Sequence, residues 1–165
     1  IICTPDKDLG QCLTVDEKII QYDRRKKERI TYQSVIEKFG VPPESIPDYL
    51  GLVGDTADGF PGLKGWGAKS SSALLAHHKH IEQIPNDHND WIPQVRSSQK
   101  LSQTLNDDYD LALLFKLIAT IDYEAKTFEN IDELEWKGPQ KDFNKILEKV
   151  DAERLIGKVT RLAER

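Results

Sequence analysis

Gly54 to Lys69 read G-D-T-A-D-G-F-P-G-L-K-G-W-G-A-K. Two carboxylates three residues apart, Asp55 and Asp58, stand directly before a glycine-rich loop that is predicted to open a helix. Carboxylates bind divalent metal ions, and the backbone N–H groups at the start of a helix bind phosphate. This one segment therefore offers both halves of a phosphodiester-binding site.

A second pair of carboxylates lies near the start of the chain, which opens I-I-C-T-P-D-K-D-L. Asp6 and Asp8 are two residues apart at the end of a short β-rich run, so their side chains project to the same side of an extended backbone. Asp55 and Asp58 follow an apolar periodic run, and they share a face if that run is helical.

Four carboxylates at close quarters repel one another unless cations neutralise them, and hard oxygen ligands select Mg²⁺ or Mn²⁺. Surface loops are often acidic, so either pair alone favours an ordinary loop. Both pairs together with the glycine loop favour a metal site. We therefore predict that Asp6, Asp8, Asp55 and Asp58 converge on one cleft.

The glycines of the loop have the spacing G-x-x-G-x-G, and a lysine and three serines follow them. Glycine permits close approach of the backbone, so consecutive N–H groups can converge on an anion without reading base sequence. The loop joins two predicted helices, which excludes a Rossmann fingerprint, and it lacks the spacing of a Walker loop. A tight helix-to-helix turn without a ligand is the alternative. The candidate DNA-binding residues are Gly62, Lys64, Gly65, Gly67, Lys69 and Ser70.

The chain has 165 residues, of which 38% are hydrophobic and 31% charged, and a net charge of −5. This length and composition fit a single domain with a hydrophobic core and a polar surface. No apolar run approaches the roughly 20 residues of a membrane span, so no membrane partner is expected. Cys3 and Cys12 suggest buried, reduced thiols and hence the cytoplasm. The basic run Arg24–Arg29 is either a phosphate-binding patch or a solvated hairpin. A chain without Met that begins on Ile is expected to be the interior of a longer polypeptide or a processed fragment.

The hydrophobic pattern changes from β-like to helical at about residue 31. Strands are predicted at 1–3, 18–22 and 28–30, and Thr31 and Ser45 are predicted to cap the first two helices. Further helices are expected over 68–78, from Asp107 or Asp108 to Thr120, and twice near the C-terminus. The helix that ends at Thr120 is apolar nearly all round, which predicts burial. Trp66 is interpreted as a packing anchor, and His77, His78 and His80 as surface residues.

These motifs carry a family resemblance. The order T-P-D-K-D-L, a basic β-rich stretch, K-F-G-V-P-P-E-S-I-P-D-Y-L-G-L-V-G-D-T-A-D-G-F-P-G-L-K-G-W-G-A-K, and a helix ending L-I-A-T-I-D resembles the C-terminal half of the 5′-nuclease family. That family includes the 5′→3′ exonuclease domain of bacterial DNA polymerase I, stand-alone bacterial exonucleases and flap endonucleases. The resemblance covers at least residues 4–122.

The resemblance implies a mixed α/β, predominantly helical fold. Residues 1–40 would be the remnant of a PIN-like catalytic domain, and residues 41–165 a helical domain with a SAM-like helix-three-turn-helix element. It implies that Asp6, Asp8, Asp55 and Asp58 match metal-ligand positions, mostly of the second metal site. It also implies that residues 62–69 hold duplex DNA, with K⁺ bound at the loop.

Two features depart from the family pattern. Gly59 stands where many relatives carry Asn, at a position that is not a ligand. The N-terminal half of the pattern is missing, with its first Asp, its central Glu and Asp ligands and its basic helical arch, so that half would be a partner. Three hypotheses follow: part of a structure-specific 5′ nuclease, a non-catalytic module that binds the DNA backbone, or an ordinary helical interaction domain.

Overall fold

The structure is a computed structural model that describes residues 1–164. The chain forms two compact units, one spanning Ile1–Asp122 and a second that begins at Tyr123. No helix within residues 1–164 is both long and apolar enough to cross a lipid bilayer. Both units are described separately below.

The first unit combines a small hairpin with five helices. Strands β1 (Gln21–Asp23) and β2 (Glu28–Ile30) pair antiparallel with Tyr22 opposite Arg29, and Ile2 adds a single parallel bridge to Gln21. The helices are α1 (Tyr32–Phe39), α2 (Ile46–Val53), α3 (Ala68–His78), α4 (Ser98–Asp107) and α5 (Tyr109–Ala119). The predicted mixed, predominantly helical fold is confirmed.

The second unit contains α6 (Phe143–Lys149) and α7 (Ile156–Ala163), which are the two predicted C-terminal helices. Leu147 of α6 is buried. A cavity of about 410 Å³ opens beside Trp136, Phe143, Ile146 and Val159.

Local sequence signals set most helix ends in the first unit. Thr31 caps α1 through a reciprocal pair of bonds with Ser34, and Gly40 ends α1 with a φ of 72°. Ser45 occupies the N-cap position of α2, as predicted, but its side chain makes no capping hydrogen bond, because a 3₁₀ turn over Pro43–Ser45 leads directly into the helix. The Ser45 hydroxyl is instead buried and has no hydrogen-bond partner within residues 1–164.

Helix α2 lies at the centre of the core and packs closely against α5. A side chain at Gly51 would place its Cβ 3.0 Å from the backbone nitrogen of Lys116, so the glycine permits this approach. Leu50 and Leu52 of α2 and Leu74 and Leu75 of α3 are all buried in the same cluster. This packing fixes the two helices that flank the glycine loop.

The prediction that α5 is buried on all sides is wrong. Ala112, Phe115 and Ala119 face the core. In contrast, Leu114, Leu117 and Ile118 are 49%, 69% and 54% exposed. Within its own unit, the main helical neighbours of α5 are α2 and α4.

The N-terminal segment is also less enclosed than predicted. Only Ile2 of the expected strand 1–3 pairs with β1, and Cys3 is exposed, contrary to the expectation of a buried thiol. Cys12 is half-buried. The basic run lies at the turn of the β1–β2 hairpin, where Asp23 accepts hydrogen bonds from the amides of Arg25 and Lys26.

Trp66 is a packing anchor, as predicted. Its side chain is buried and its Nε1 donates a hydrogen bond to the carbonyl of Leu101 at 3.2 Å. Its ring lies 5.8 Å from the ring of Trp91, measured between centroids. These contacts place the segment before α4 beside the glycine loop.

Candidate functional site

Asp55 and Asp58 lie on a tight hairpin that follows α2. The amide of Asp55 donates to the carbonyl of Phe60 at 2.8 Å, and the amide of Phe60 donates back at 3.0 Å. The prediction that a helix places both carboxylates on one face is wrong, because α2 ends at Val53 and Gly54 adopts a φ of 90°. The ring of Phe60 stacks on Phe115 with centroids 5.4 Å apart, which anchors the hairpin on α5.

A buried glutamine positions the N-terminal carboxylates. Gln21 of β1 donates hydrogen bonds to the carbonyls of Thr4 and Asp6 at 2.8 and 2.5 Å. Asp8 begins a 3₁₀ turn over Asp8–Cys12. Within that turn, Nε2 of Gln11 donates to the carbonyl of Ala119 and Oε1 accepts from the amide of Ile121. These two hydrogen bonds link the turn to the end of α5.

Three of the four predicted carboxylates come together. Asp8, Asp55 and Asp58 each offer an oxygen that lies within 4.8 Å of those of the other two. Oxygens on opposite sides of one Mg²⁺ are about 4.2 Å apart, twice the Mg–O distance of about 2.1 Å, so small side-chain adjustments would suffice. Asp6 lies outside this group, and its Oδ1 accepts the amide of Asp8 at 3.1 Å. Its role as a ligand stays a prediction.

The cluster perturbs the protonation of its members. Burial, then a hydrogen bond with Asp58, raises the pKa of Asp8 to about 6, and the charges of Asp6 and Asp58 add to the shift. Burial would also raise the pKa of Asp55, but hydrogen bonds from Lys7 and from the Ala57 amide lower it below its ordinary value. For Lys7, burial opposes the charge, yet the hydrogen bond to Asp55 leaves its pKa raised. Such shifts are typical of carboxylates held together.

The cluster has the features of a cation site. Asp8 Oδ1 and Asp55 Oδ2 are buried without a hydrogen bond of ordinary geometry from residues 1–164. Both face the ammonium of Lys7, which pairs with Asp55 and lies 3.8 Å from Asp8 Oδ1. Buried carboxylate oxygens are costly unless a cation neutralises them. Lys7 does so in this structure, and a hard divalent cation would do so as well. The donor set therefore fits Mg²⁺ or Mn²⁺.

The glycine loop exposes some of the predicted DNA-binding residues and buries another. Lys64, Gly65 and Lys69 are exposed, and the amides of Gly65 and Lys69 donate no backbone hydrogen bond within the described chain. The amide of Gly67 donates to the Ser70 hydroxyl at 3.3 Å, so Ser70 stabilises the start of α3. Gly62 is buried and faces backbone rather than solvent.

The loop and the carboxylate hairpin are joined through two glycines. A Cβ at Gly62 would lie 2.3 Å from the nitrogen of Gly54, and a Cβ at Gly54 would lie 2.4 Å from the carbonyl carbon of Pro61. Both residues have positive φ, and the amide of Leu63 donates to the carbonyl of Leu52 at 2.9 Å. The contact fixes the separation between the cluster and the exposed amides.

A shallow cavity of about 340 Å³ lies beside the loop. It is lined by Gly65, Lys69 and Ser70 from the loop side and by Val95, Arg96, Ser97 and Leu101 from the segment that leads into α4. The sequence interpretation missed Arg96, which lies in a polar stretch without a motif. It also gave no role to Lys7, although Lys7 stands between two acids in the quoted motif.

The polar network around Asp48 was not predicted either. Asp48 of α2 is fully buried; its Oδ1 accepts from the Ile81 amide at 2.9 Å and from the Lys116 ammonium at 2.7 Å. Its Oδ2 lies 3.0 Å from Nδ1 of His80, whose side chain is 37% exposed, so His80 is a surface residue as predicted but also contacts a buried carboxylate. Lys116 also pairs with Glu82 at 2.7 Å. This network joins α2, α5 and the segment after α3.

Comparison with known proteins identifies the family. Residues 41–142, more than half of the chain, match the family model described as 5′-3′ exonuclease, C-terminal SAM fold. The chain belongs to the 5′-3′ exonuclease family. This match includes α2, the carboxylate hairpin, the glycine loop and α3.

Two curated relatives show how far the similarity of this 5′-3′ exonuclease family member extends. The chain is 34% identical over 150 residues to a 5′-3′ exonuclease of Aquifex aeolicus, covering 90% of the chain and 47% of the relative. It is 35% identical over 136 residues to DNA polymerase I of Bacillus subtilis, covering 81% of the chain and 15% of the relative. The chain thus spans about half the length of the Aquifex exonuclease.

The fold is also similar to that of a solved nuclease. The bacteriophage T5 flap endonuclease, solved as a pseudo-enzyme–product complex with DNA and metal ions, aligns with a TM-score of 0.57 at 19% identity. The alignment covers 71% of this chain and 41% of the T5 chain. At this identity the likeness shows a shared fold.

Proposed function

We propose that this chain is the C-terminal part of a 5′→3′ exonuclease or structure-specific 5′ (flap) nuclease that hydrolyses DNA phosphodiesters. The observation that carries the proposal is the joining, through Gly54 and Gly62, of a carboxylate cluster to a loop in which the exposed residues Gly65 and Lys69 have amides that donate no backbone hydrogen bond within the described chain. Family membership supports it, because the match covers the hairpin with Asp55 and Asp58 and the glycine loop. The T5 complex with DNA and metal ions is consistent with both kinds of ligand.

Asp8, Asp55 and Asp58 would hold Mg²⁺ or Mn²⁺. Asp6, two residues before Asp8, would be a further ligand. A bound divalent ion supplies positive charge for the oxygens that gain charge during phosphodiester hydrolysis and lowers the pKa of a bound water. Gln21 and Gln11 hold the N-terminal acids in place through the backbone bonds described above. The hairpin bonds between Asp55 and Phe60 do the same for the second pair.

The loop would bind the phosphates of a duplex away from the cut. The exposed amides of Gly65 and Lys69 and the side chains of Lys64 and Lys69 would supply this contact, with Gly67 and Ser70 forming the start of α3. Gly62 would act by fixing the loop rather than by contacting DNA. K⁺ at the loop remains part of the proposal, as does a polypeptide that carries the missing N-terminal half of the site.

A crystal soaked in MnCl₂ tests the metal site. We expect anomalous density between Asp8, Asp55 and Asp58, and none in Asp55→Asn, which keeps the shape of the side chain and removes the charge. Density elsewhere, or none in the parent protein, would contradict the assignment.

Fluorescence anisotropy with one duplex at several salt concentrations tests the loop. Lys69→Ala should weaken binding to DNA duplexes of unrelated sequence by the same factor. It should also reduce the slope of log affinity against log salt concentration by about one counterion. Lys18→Ala, which removes a similarly exposed charge paired with Asp16, is the control and should change neither quantity. An unchanged slope in Lys69→Ala would exclude Lys69 from the DNA contact.

A further inference from the structure

Lys7 is placed to neutralise the carboxylate cluster from within the chain. It lies between Asp6 and Asp8 in sequence, immediately before the 3₁₀ turn that Asp8 begins. Its ammonium pairs with Asp55, whose side chain is only 4% exposed, and lies 3.8 Å from Asp8 Oδ1. Within the cluster, these two oxygens are buried and lack an ordinary hydrogen bond from residues 1–164.

A divalent cation and the Lys7 ammonium would compete for the same oxygens. A buried carboxylate without a countercharge is strongly destabilising, so the metal-free protein gains from the Lys7 pair. An ammonium is a compact point charge on a flexible stem, and the Lys7 side chain is 30% exposed, which leaves it a path to solvent. An ion bound to these oxygens at about 2.1 Å would place its charge beside the ammonium, and the repulsion between the two cations favours release of the ammonium.

We propose that Lys7 is a built-in counter-cation of the Asp8–Asp55–Asp58 cluster, which a divalent metal ion displaces when it binds. Lys7 then lowers the affinity for metal while it stabilises the metal-free cluster. The ion frees the ammonium beside the cluster, where it can contact an anionic ligand. This role presupposes the metal site proposed above, so the experiment must distinguish failure of the site from failure of the displacement.

The first measurement uses the unaltered 165-residue chain. Lysine acetylation by a limiting amount of an amine-specific reagent is followed residue by residue with mass spectrometry, with and without saturating Mn²⁺. We expect acetylation of Lys7 to rise several-fold with Mn²⁺, while that of Lys18, which is exposed and paired with Asp16, stays constant. In Asp55→Asn, Lys7 should be reactive without metal. Unchanged or reduced Lys7 acetylation at saturating Mn²⁺ would overturn the proposal.

The second measurement is Mn²⁺ affinity by calorimetry. Lys7→Met should bind Mn²⁺ roughly tenfold more tightly than the parent protein, the size of effect typical of a group that acts on metal ligands from beside them. Lys7→Arg, which keeps the charge, should return the affinity towards that of the parent, and Lys18→Met should match the parent. Equal or weaker binding by folded Lys7→Met would overturn the displacement while leaving the metal site intact. A parent protein that binds no Mn²⁺ would overturn both.

Discussion

Gly65 and Gly67 differ in what their backbone requires, although the sequence places both in one motif. Gly65 has a φ of 85°, in the left-handed region that side chains with a branched Cβ avoid. Gly67 has a φ of −144°, which any residue adopts, and a Cβ there would have no atom within 4 Å. Positive φ therefore requires glycine at position 65 and not at position 67.

This difference separates stability from DNA binding. Gly65→Val should lower the free energy of unfolding by about 1–2 kcal/mol through backbone strain. Gly67→Val should leave stability nearly unchanged and weaken binding to duplex DNA, because the side chain blocks the approach of a phosphate. Gly157→Val, at an exposed helical glycine with equally open surroundings, is the control. Thermal denaturation and fluorescence anisotropy give the two quantities, and parental DNA affinity in folded Gly67→Val would exclude this position from the contact.

At the scale of elements, Asp48 connects α2 to α5 and to the segment after α3 by three polar contacts. Asp48→Ala would leave the Lys116 ammonium and the Ile81 amide without their buried acceptor. We expect a loss of about 3–5 kcal/mol in unfolding free energy, the usual cost of removing one partner of a buried ion pair. Asp16→Ala, which removes an exposed carboxylate, should have little effect in the same urea titration. A small effect in Asp48→Ala would show that the network contributes little.

Glu82 gives the same network a pH dependence. Burial would raise its pKa, but hydrogen bonds from Lys116 lower it below the ordinary value of 4.5. The stabilisation by the Glu82–Lys116 pair is therefore fully present above pH 4.5. It is lost as the pH falls through the lower pKa that Glu82 has in the folded state. Because the Glu82 side chain is 46% exposed, we expect less than about 1 kcal/mol. The unfolding free energy of Glu82→Gln should fall less steeply on acidification than that of the parent protein, whereas Glu37→Gln should follow the parent. Identical curves of unfolding free energy against pH for Glu82→Gln and the parent would contradict this.

At the scale of the whole molecule, the described residues hold one carboxylate cluster of three members. Two-metal hydrolysis needs ligands for two ions about 4 Å apart, and three carboxylates shared with Lys7 do not supply them. The purified chain should therefore show little or no nuclease activity on a 5′-flap duplex.

Supplying the missing ligands should restore activity. We expect a fusion to the N-terminal half of the Aquifex aeolicus 5′-3′ exonuclease to cleave the flap in a Mg²⁺-dependent reaction, and Asp55→Asn to abolish that cleavage. Robust metal-dependent cutting by the 165-residue chain alone would show that its own residues complete the site. Binding without cleavage by the fusion would favour the non-catalytic module instead.

The sequence by itself determined the features that depend on neighbouring residues. Helix α1 begins at Thr31 and ends at Gly40 because capping and positive φ are local properties, and α3 spans Ala68–His78 as predicted for the same reason. The motif order also identified the family. These signals need no knowledge of what packs against them.

Only the tertiary structure decided what depends on distant contacts. The exposed face of α5, the turn that carries Asp55 and Asp58, and the association of Asp8 with them follow from packing between segments far apart in sequence. The pairing of Lys7 with Asp55 and of Asp48 with Lys116 has the same origin. Composition and periodicity state which residues can be buried or charged, but the chain's path decides which of them meet.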